Sequence, residues 1–265
     1  MLRSLLSRSW SCALLLSFSF LLAALPMSDR RSLRVFVSGP PESGKSQFLA
    51  HEFTSKTPRV ISIDVVSEVH ERNPDAIRTY GLADLRSTLK KCSTYRKWHV
   101  AAMLGDKEIA PAFAMLAPEP KSDDDISFPR AVGGVAIECG EAAFLAPNGR
   151  TSPEVRAAFN RGRHHLLSLY MATQRPAEVD RAVTASSPIK VAFGHREDRD
   201  LEFWRKEISA PIAQVIAELP QYHSIYYVQA LSRVYVRDDS YRVRRILDAR
   251  GNELSSPRPK LVRQS

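Results

Sequence analysis

From residue 27 onward, short apolar runs alternate with amphipathic stretches whose apolar positions recur every three or four residues. A brief apolar run suits a strand covered on both faces, and the 3.6-residue period suits a helix lying on a sheet. This pattern predicts strands at residues 33–38, 59–64, 97–104, 133–139, 166–174 and 189–194. It predicts helices at 45–54, 82–92, 107–117, 152–165, 177–186, 198–208 and 211–219, followed by a hairpin-like pair, 224–231 and 232–239. The helix at 152–165 carries its own start signal, Ser152 before Pro153 and Glu154. Strand and helix in steady succession predict an α/β fold, a three-layer sandwich around a mainly parallel sheet.

Between these elements, "PEPKSDDDISFPR" (118–130) mixes proline with Asp123, Asp124 and Asp125, and reads as a solvated surface loop rather than a metal site. Residues 241–265 are basic and rich in Pro and Ser near their end, so a fraying tail is expected there. Residues 1–26 hold Arg3 and Arg8 ahead of an apolar run from about Cys12 to Leu25, the layout of a secretory signal or short anchor. Met27 leads directly into the first strand, so the favoured expectation is translation from Met27, with a membrane anchor as the alternative. One globular domain at 27–240 follows, and 265 residues with 44% hydrophobic content suffice for its core.

Charge and cysteine content change this picture only modestly. The formal charge is 38 − 29 = +9, or 9 − 2 = +7 without Arg3 and Arg8, which fits a polyanionic partner and equally an ordinary basic surface. Cys12, Cys92 and Cys139 are too scattered for a disulfide framework or a metal cluster, and His164 and His165 are adjacent, so on a helix they diverge.

The chemistry starts with Gly39-Pro40-Pro41-Glu42-Ser43-Gly44-Lys45-Ser46, with Gln47 next in the helix. Gly, four residues, then Gly-Lys-Ser, set between a strand and a helix, is a phosphate-binding loop. Gly39 and Gly44 let backbone N–H groups turn toward phosphates, and the following helix offers them its positive end. Lys45 reaches the β- and γ-phosphates of ATP or GTP, and the Ser46 hydroxyl takes a place on Mg²⁺.

Hydrolysis also needs a strand-end carboxylate for Mg²⁺ and a second one to polarise the attacking water. The candidate strand ends "VAIECGEAAFLAP", which departs from the usual apolar run followed by Asp-Glu. Glu138 stands at the Asp position if Val135–Ile137 form the strand, which puts Cys139 at the glutamate position. Alternatively, "GEAAFLAP" matches "DEAAFLAP", with Gly140 at the metal position and Glu141 as base. The favoured combination has Glu138 acting on the metal through water and Glu141 on the attacking water. A weakened or lost hydrolysis is the remaining reading.

Three further stretches, "NRGRHHLLSLYMATQRPAEVDRAV", "SIDVVSEV" and "IKVAFGHREDRDLEF", resemble the HerA/FtsK superfamily of nucleic-acid-pumping ATPases. Its compact members include viral genome-packaging ATPases and zonular occludens toxin-like proteins. The resemblance spans about residues 33–203 and implies a P-loop NTPase of the RecA-like, ASCE type. It makes Gln174, ending "LYMATQ", a sensor of the γ-phosphate, and Arg163, ahead of Arg161, a finger reaching a neighbouring subunit's nucleotide. Asp180 and Asp200 match family positions too and are read as structural. The resemblance further implies a ring, usually a hexamer, that threads double-stranded DNA, with a portal, capsid or membrane partner and a cytoplasmic or virion-associated place.

An ATP-driven DNA translocase or packaging motor is therefore the leading expectation. An ATP-binding regulatory or assembly module with weak or no turnover is the alternative, supported by the irregular "IECGEA". A small-molecule kinase is the weakest reading, because "ATQRP" stands where an Arg-rich lid would be expected.

Overall fold

A computed structural model describes residues 32–64, 69, 72–119 and 126–254. The leader at 1–26, the aspartates at 123–125 and the final residues 255–265 lie outside the described residues. In chain order the strands are β1 (Arg34–Ser38), β2 (Arg59–Ile63), β3 (Ile77–Tyr80), β4 (Trp98–Met103), β5 (Val135–Cys139), β6 (Leu167–Thr173), β7 (Ile189–Phe193), β8 (Ser224–Val228), β9 (Arg233–Arg237), β10 (Val243–Asp248) and β11 (Glu253–Leu254). The helices are α1 (Lys45–Glu52), α2 (Gly81–Cys92), α3 (Asp106–Leu116), α4 (Phe128–Ala131), α5 (Ala142–Leu145), α6 (Pro153–Arg161), α7 (Arg181–Ser186), α8 (Asp198–Glu207) and α9 (Ala210–Ala217).

All eleven strands join one sheet in the order β11-β10-β9-β8-β7-β1-β6-β5-β2-β4-β3. The run from β7 to β3 is parallel, and β8 to β11 extend it antiparallel beyond β7. Successive strand residues face opposite sides, so Val35 and Val37 enter one core while Phe36 enters the other. The larger core takes apolar faces from α2, α3 and α6 to α9, with Phe113, Phe159 and Trp204 fully buried. Of the described helices, only α1 supplies the opposite core, where Phe48 meets the rings of Phe53, Phe193, Tyr226 and Tyr241. The result is the predicted three-layer α/β sandwich, built unevenly about the sheet.

Several boundaries differ from the pattern-based expectation. The helix predicted at 152–165 stops at Arg161, and Gly162–His165 form a 3₁₀ turn that ends at Leu166 with a left-handed φ of 56°. Within the stretch 177–186 the α-helix covers only 181–186, where Asp180 caps it by accepting from the Ala182 N–H at 2.8 Å, and Pro176–Glu178 form a separate 3₁₀ turn. Residues 243–254 do not fray: they add β10 and β11, with Ile246 and Leu247 buried on opposite faces of the sheet. The neighbouring Arg244 and Arg245 are exposed and mask that short apolar pair in the sequence. Among the described residues, no helix is long and apolar enough to cross a membrane.

One consequence of strand order sets up the site. β6 lies between β1 and β5, so the loop after β1, the end of β6 and the end of β5 converge on one edge of the sheet. Ligands of open parallel sheets bind at that C-terminal edge.

Candidate nucleotide site

The loop after β1 bends left twice, at Glu42 with φ 57° and at Gly44 with φ 95°. Gly44 precedes α1 directly, and a side chain there would carry the strain of the left-handed region. Gly39 is required for a different reason: an added Cβ would sit 2.5 Å from Ser43 Oγ and 2.7 Å from Phe193 Cβ. Lys45 is buried, and its Nζ donates to the Pro40 carbonyl at 2.7 Å, so the loop curls around its own ammonium group. Ser43 Oγ is buried without a hydrogen-bond partner among the described residues.

A cavity of about 370 Å³ opens beside this loop, and Lys45, Ser46, Asp64, Glu141 and Gln174 line it together with Arg72. Pro41 and Glu42 contribute its outer wall. Gln47, exposed on α1, is not among the residues lining it. These residues suit a magnesium nucleotide: a cationic Nζ and a helix N-terminus for phosphate, and a hydroxyl with carboxylates for the ion.

Glu141 is held in place by the strand between the two motifs. Thr173 Oγ1, at the end of β6, donates to its Oε1 at 2.6 Å, and the backbone N–H groups of Ala143 and Gln174 approach its oxygens at 3.4 Å. Glu141 also caps α5, so its carboxylate faces the cavity at the start of a helical turn. Gln174 is exposed and follows directly, its side chain on the same cavity.

Glu138 does not join them. It lines a separate cavity of about 520 Å³ with Thr54, Arg72, Asn73 and His99. Thr54 Oγ1 and Ser62 Oγ donate to its Oε2 at 2.9 and 3.1 Å, and Arg72 stands 3.8 Å from Oε1. Burial raises its pKa above the ordinary carboxylate range, against the pull of Arg72. The expected pairing of Glu138 with Ser46 is therefore absent from the phosphate-loop cavity, because the side chain points from within β5, one residue short of the strand end. Cys139 is no substitute for a base, since burial pushes its thiol up to about 12.

Arg161 and Arg163 sit before β6, at its far end from Thr173. Seven strand residues separate the two ends by about 20 Å at roughly 3.3 Å per residue. Arg161 donates to Glu119 at 3.1 Å, while Arg163 is exposed. Neither can serve the nucleotide of its own chain. Arg175 is tied internally to Glu197 and to Asp200 at 3.3 Å. Asp200 also faces His195 at 3.6 Å, and His195 bonds Ser38 at 2.8 Å, so this aspartate braces the β1 and β7 ends. Asp180 pairs with Arg156 at 2.7 Å besides capping α7.

Two lining residues, Asp64 and Arg72, were not singled out by sequence reasoning. Asp64 ends the apolar run "RVISID", a position whose meaning depends on which strand lies beside β2. Arg72 carried no pattern signal at all.

A strand, a glycine-bracketed loop ending in Lys-Ser, and a parallel strand set between β1 and β5 together define the P-loop NTPase fold. Solved structures similar to this chain carry the same fold. No protein-family model matches the sequence, and no curated protein matches it. The genome packaging NTPase B204 from Sulfolobus turreted icosahedral virus 2, solved with ATP-gammaS, aligns with a TM-score of 0.62 and 20% identity over 78% of this chain and 98% of that one. B204 described as the DNA-packaging ATPase from Sulfolobus Turreted Icosahedral Virus aligns with a TM-score of 0.58 and 16% identity over 78% and 97% of the two chains.

Proposed function

We propose that this chain binds ATP with Mg²⁺ in the Lys45–Ser46 cavity, hydrolyses it, and uses the energy to move double-stranded DNA as a ring, a hexamer by resemblance. The observation that carries the reading is the shared cavity: Lys45, Ser46, Glu141 and Gln174 come from three separate segments and line one space. Lys45 offsets charge on the β- and γ-phosphates, and the loop N–H groups position them. Glu141 accepts the proton of the attacking water, and Gln174 orients that water against the γ-phosphate. Bound Mg²⁺ would neutralise charge on the leaving phosphates. In a ring, the exposed Arg163 acts on a neighbour's nucleotide, a reading supported by its distance from its own chain's phosphate loop.

The DNA assignment rests on the formal charge of +9 and on fold likeness to a packaging ATPase. A second reading, an ATP-binding assembly module with little turnover, is favoured by one observation: Gly140 occupies the strand-end position where the metal carboxylate normally stands. ATP turnover measured with and without double-stranded DNA separates them. The motor predicts DNA-stimulated hydrolysis that Lys45→Ala abolishes; ATP binding with no turnover under any DNA condition supports the module instead.

A further inference from the structure

The missing carboxylate at Gly140 has a neighbour in register. β2 and β5 run parallel with Ser62 beside Glu138 and Ile63 beside Cys139, so the next pair along is Asp64 beside Gly140. Adjacent strands lie about 4.8 Å apart, which brings Asp64 to the edge position that Gly140 leaves bare. Both residues line the cavity of Lys45, Ser46 and Glu141. A Cβ built on Gly140 meets nothing within 4 Å, so the space that a carboxylate would fill on β5 is open.

Asp64 is fixed in that position and largely buried, at 6% exposure. Its N–H donates to the Ala102 carbonyl at 3.0 Å, which holds the backbone against β4. Its Oδ2 accepts from the Val69 N–H at 3.2 Å, which orients the carboxylate. The side chain therefore reaches the cavity from a braced backbone, as a metal-positioning group requires.

We infer that Asp64, at the end of β2, supplies the Mg²⁺-facing carboxylate that this chain lacks at Gly140, so that the acidic pair of the site is Asp64 and Glu141 drawn from two adjacent strands. The inference rests on the nucleotide-binding reading above. It also answers the second reading, because an intact pair of carboxylates leaves the site competent for hydrolysis.

The test measures ATPγS affinity by calorimetry with Mn²⁺ or with EDTA, and the Mn²⁺ environment by electron paramagnetic resonance, on the full chain. In the wild type, Mn²⁺ tightens ATPγS binding. Asp64→Asn is expected to reduce that metal-dependent gain, the ratio of affinities with Mn²⁺ and with EDTA, about 10–100-fold. Asparagine keeps a carbonyl for the Val69 N–H, and thermal unfolding verifies the fold. Adding Gly140→Asp to Asp64→Asn restores the gain and the bound Mn²⁺ signal, a repair that a merely structural Asp64 would not show. A full metal-dependent gain in Asp64→Asn, or a loss that Gly140→Asp leaves unrepaired, overturns the inference. Wild-type protein that binds no ATPγS with or without metal, or whose binding survives Lys45→Ala, removes the nucleotide reading and this inference with it.

Discussion

Glu138 and Glu141 stand three residues apart, yet the fold sends them into two different cavities. Glu138 belongs to a side-chain network: Thr54 and Ser62 donate to its carboxyl, Ser62 bonds His99 at 2.7 Å, and His99 faces Asn73 at 2.6 Å. Glu141 lies past the strand end, partly exposed, with Thr173 and two backbone N–H groups aiming it at the phosphate loop. Arg72 lines both cavities. In this chain the carboxylate beyond the last paired residue of β5 lines the phosphate-loop cavity, and the one within the strand does not. Within the strand, even one turn of the pleat earlier, the same group becomes part of the core and must be satisfied by the protein itself.

Breaking this comparison begins with the residue predicted to matter most. Lys45→Ala or Glu141→Gln should lower ATP turnover at least about 100-fold, as removal of a general base or a phosphate-binding cation does, whereas Glu138→Gln should leave it within about threefold. A coupled phosphate-release assay reads all three. Thr173→Val keeps the shape of the β6 end but removes the hydroxyl that aims Glu141. Hydrogen bonds to charged groups contribute about 1.5–3 kcal/mol, so turnover should fall about 10- to 150-fold with ATP affinity unchanged.

Smaller effects test the supporting structure. Gly44→Ala should cost about 1–2 kcal/mol in urea unfolding, the strain of a left-handed φ at a residue with a Cβ. On the Glu138 side, burial and the nearby Arg72 lower His99 to about 4, so its neutral form is favoured in the fold. That stability is fully present above His99's ordinary value of 6.5 and is lost as pH falls toward about 4. Glu138, raised by burial, favours its proton in the folded state and works in the opposite direction as pH falls. His99→Asn should therefore flatten the loss of stability between pH 7 and pH 4, read from denaturation midpoints at both.

Much of this fold was legible from hydrophobic periodicity, because the inner parallel strands are buried on both faces and the helices that cover them carry apolar faces. The edge strand β3 was not, since in "IRTY" only Thr79 is buried. The additions β10 and β11 were hidden for a similar reason, because, of their apolar residues, only Ile246 and Leu247 are buried and arginines precede them. The phosphate loop was legible because its chemistry is local: two glycines, a lysine and a serine within eight positions. The acidic half was only partly legible. Counting along "VAIECGEA" kept both glutamates in play, but which one faces the nucleotide depends on where β5 ends. Asp64 was out of reach altogether, because its pairing with Gly140 is a fact of strand order, set by residues 76 positions apart in the chain.

The central claim is that the working carboxylate lies beyond the end of β5 and not within it. Steady-state ATP turnover of Glu141→Gln and Glu138→Gln, measured side by side on protein of equal thermal stability, tests it most directly. The account predicts near-complete loss in Glu141→Gln and near wild-type turnover in Glu138→Gln. Equal loss in both, or loss in Glu138→Gln alone, would contradict it.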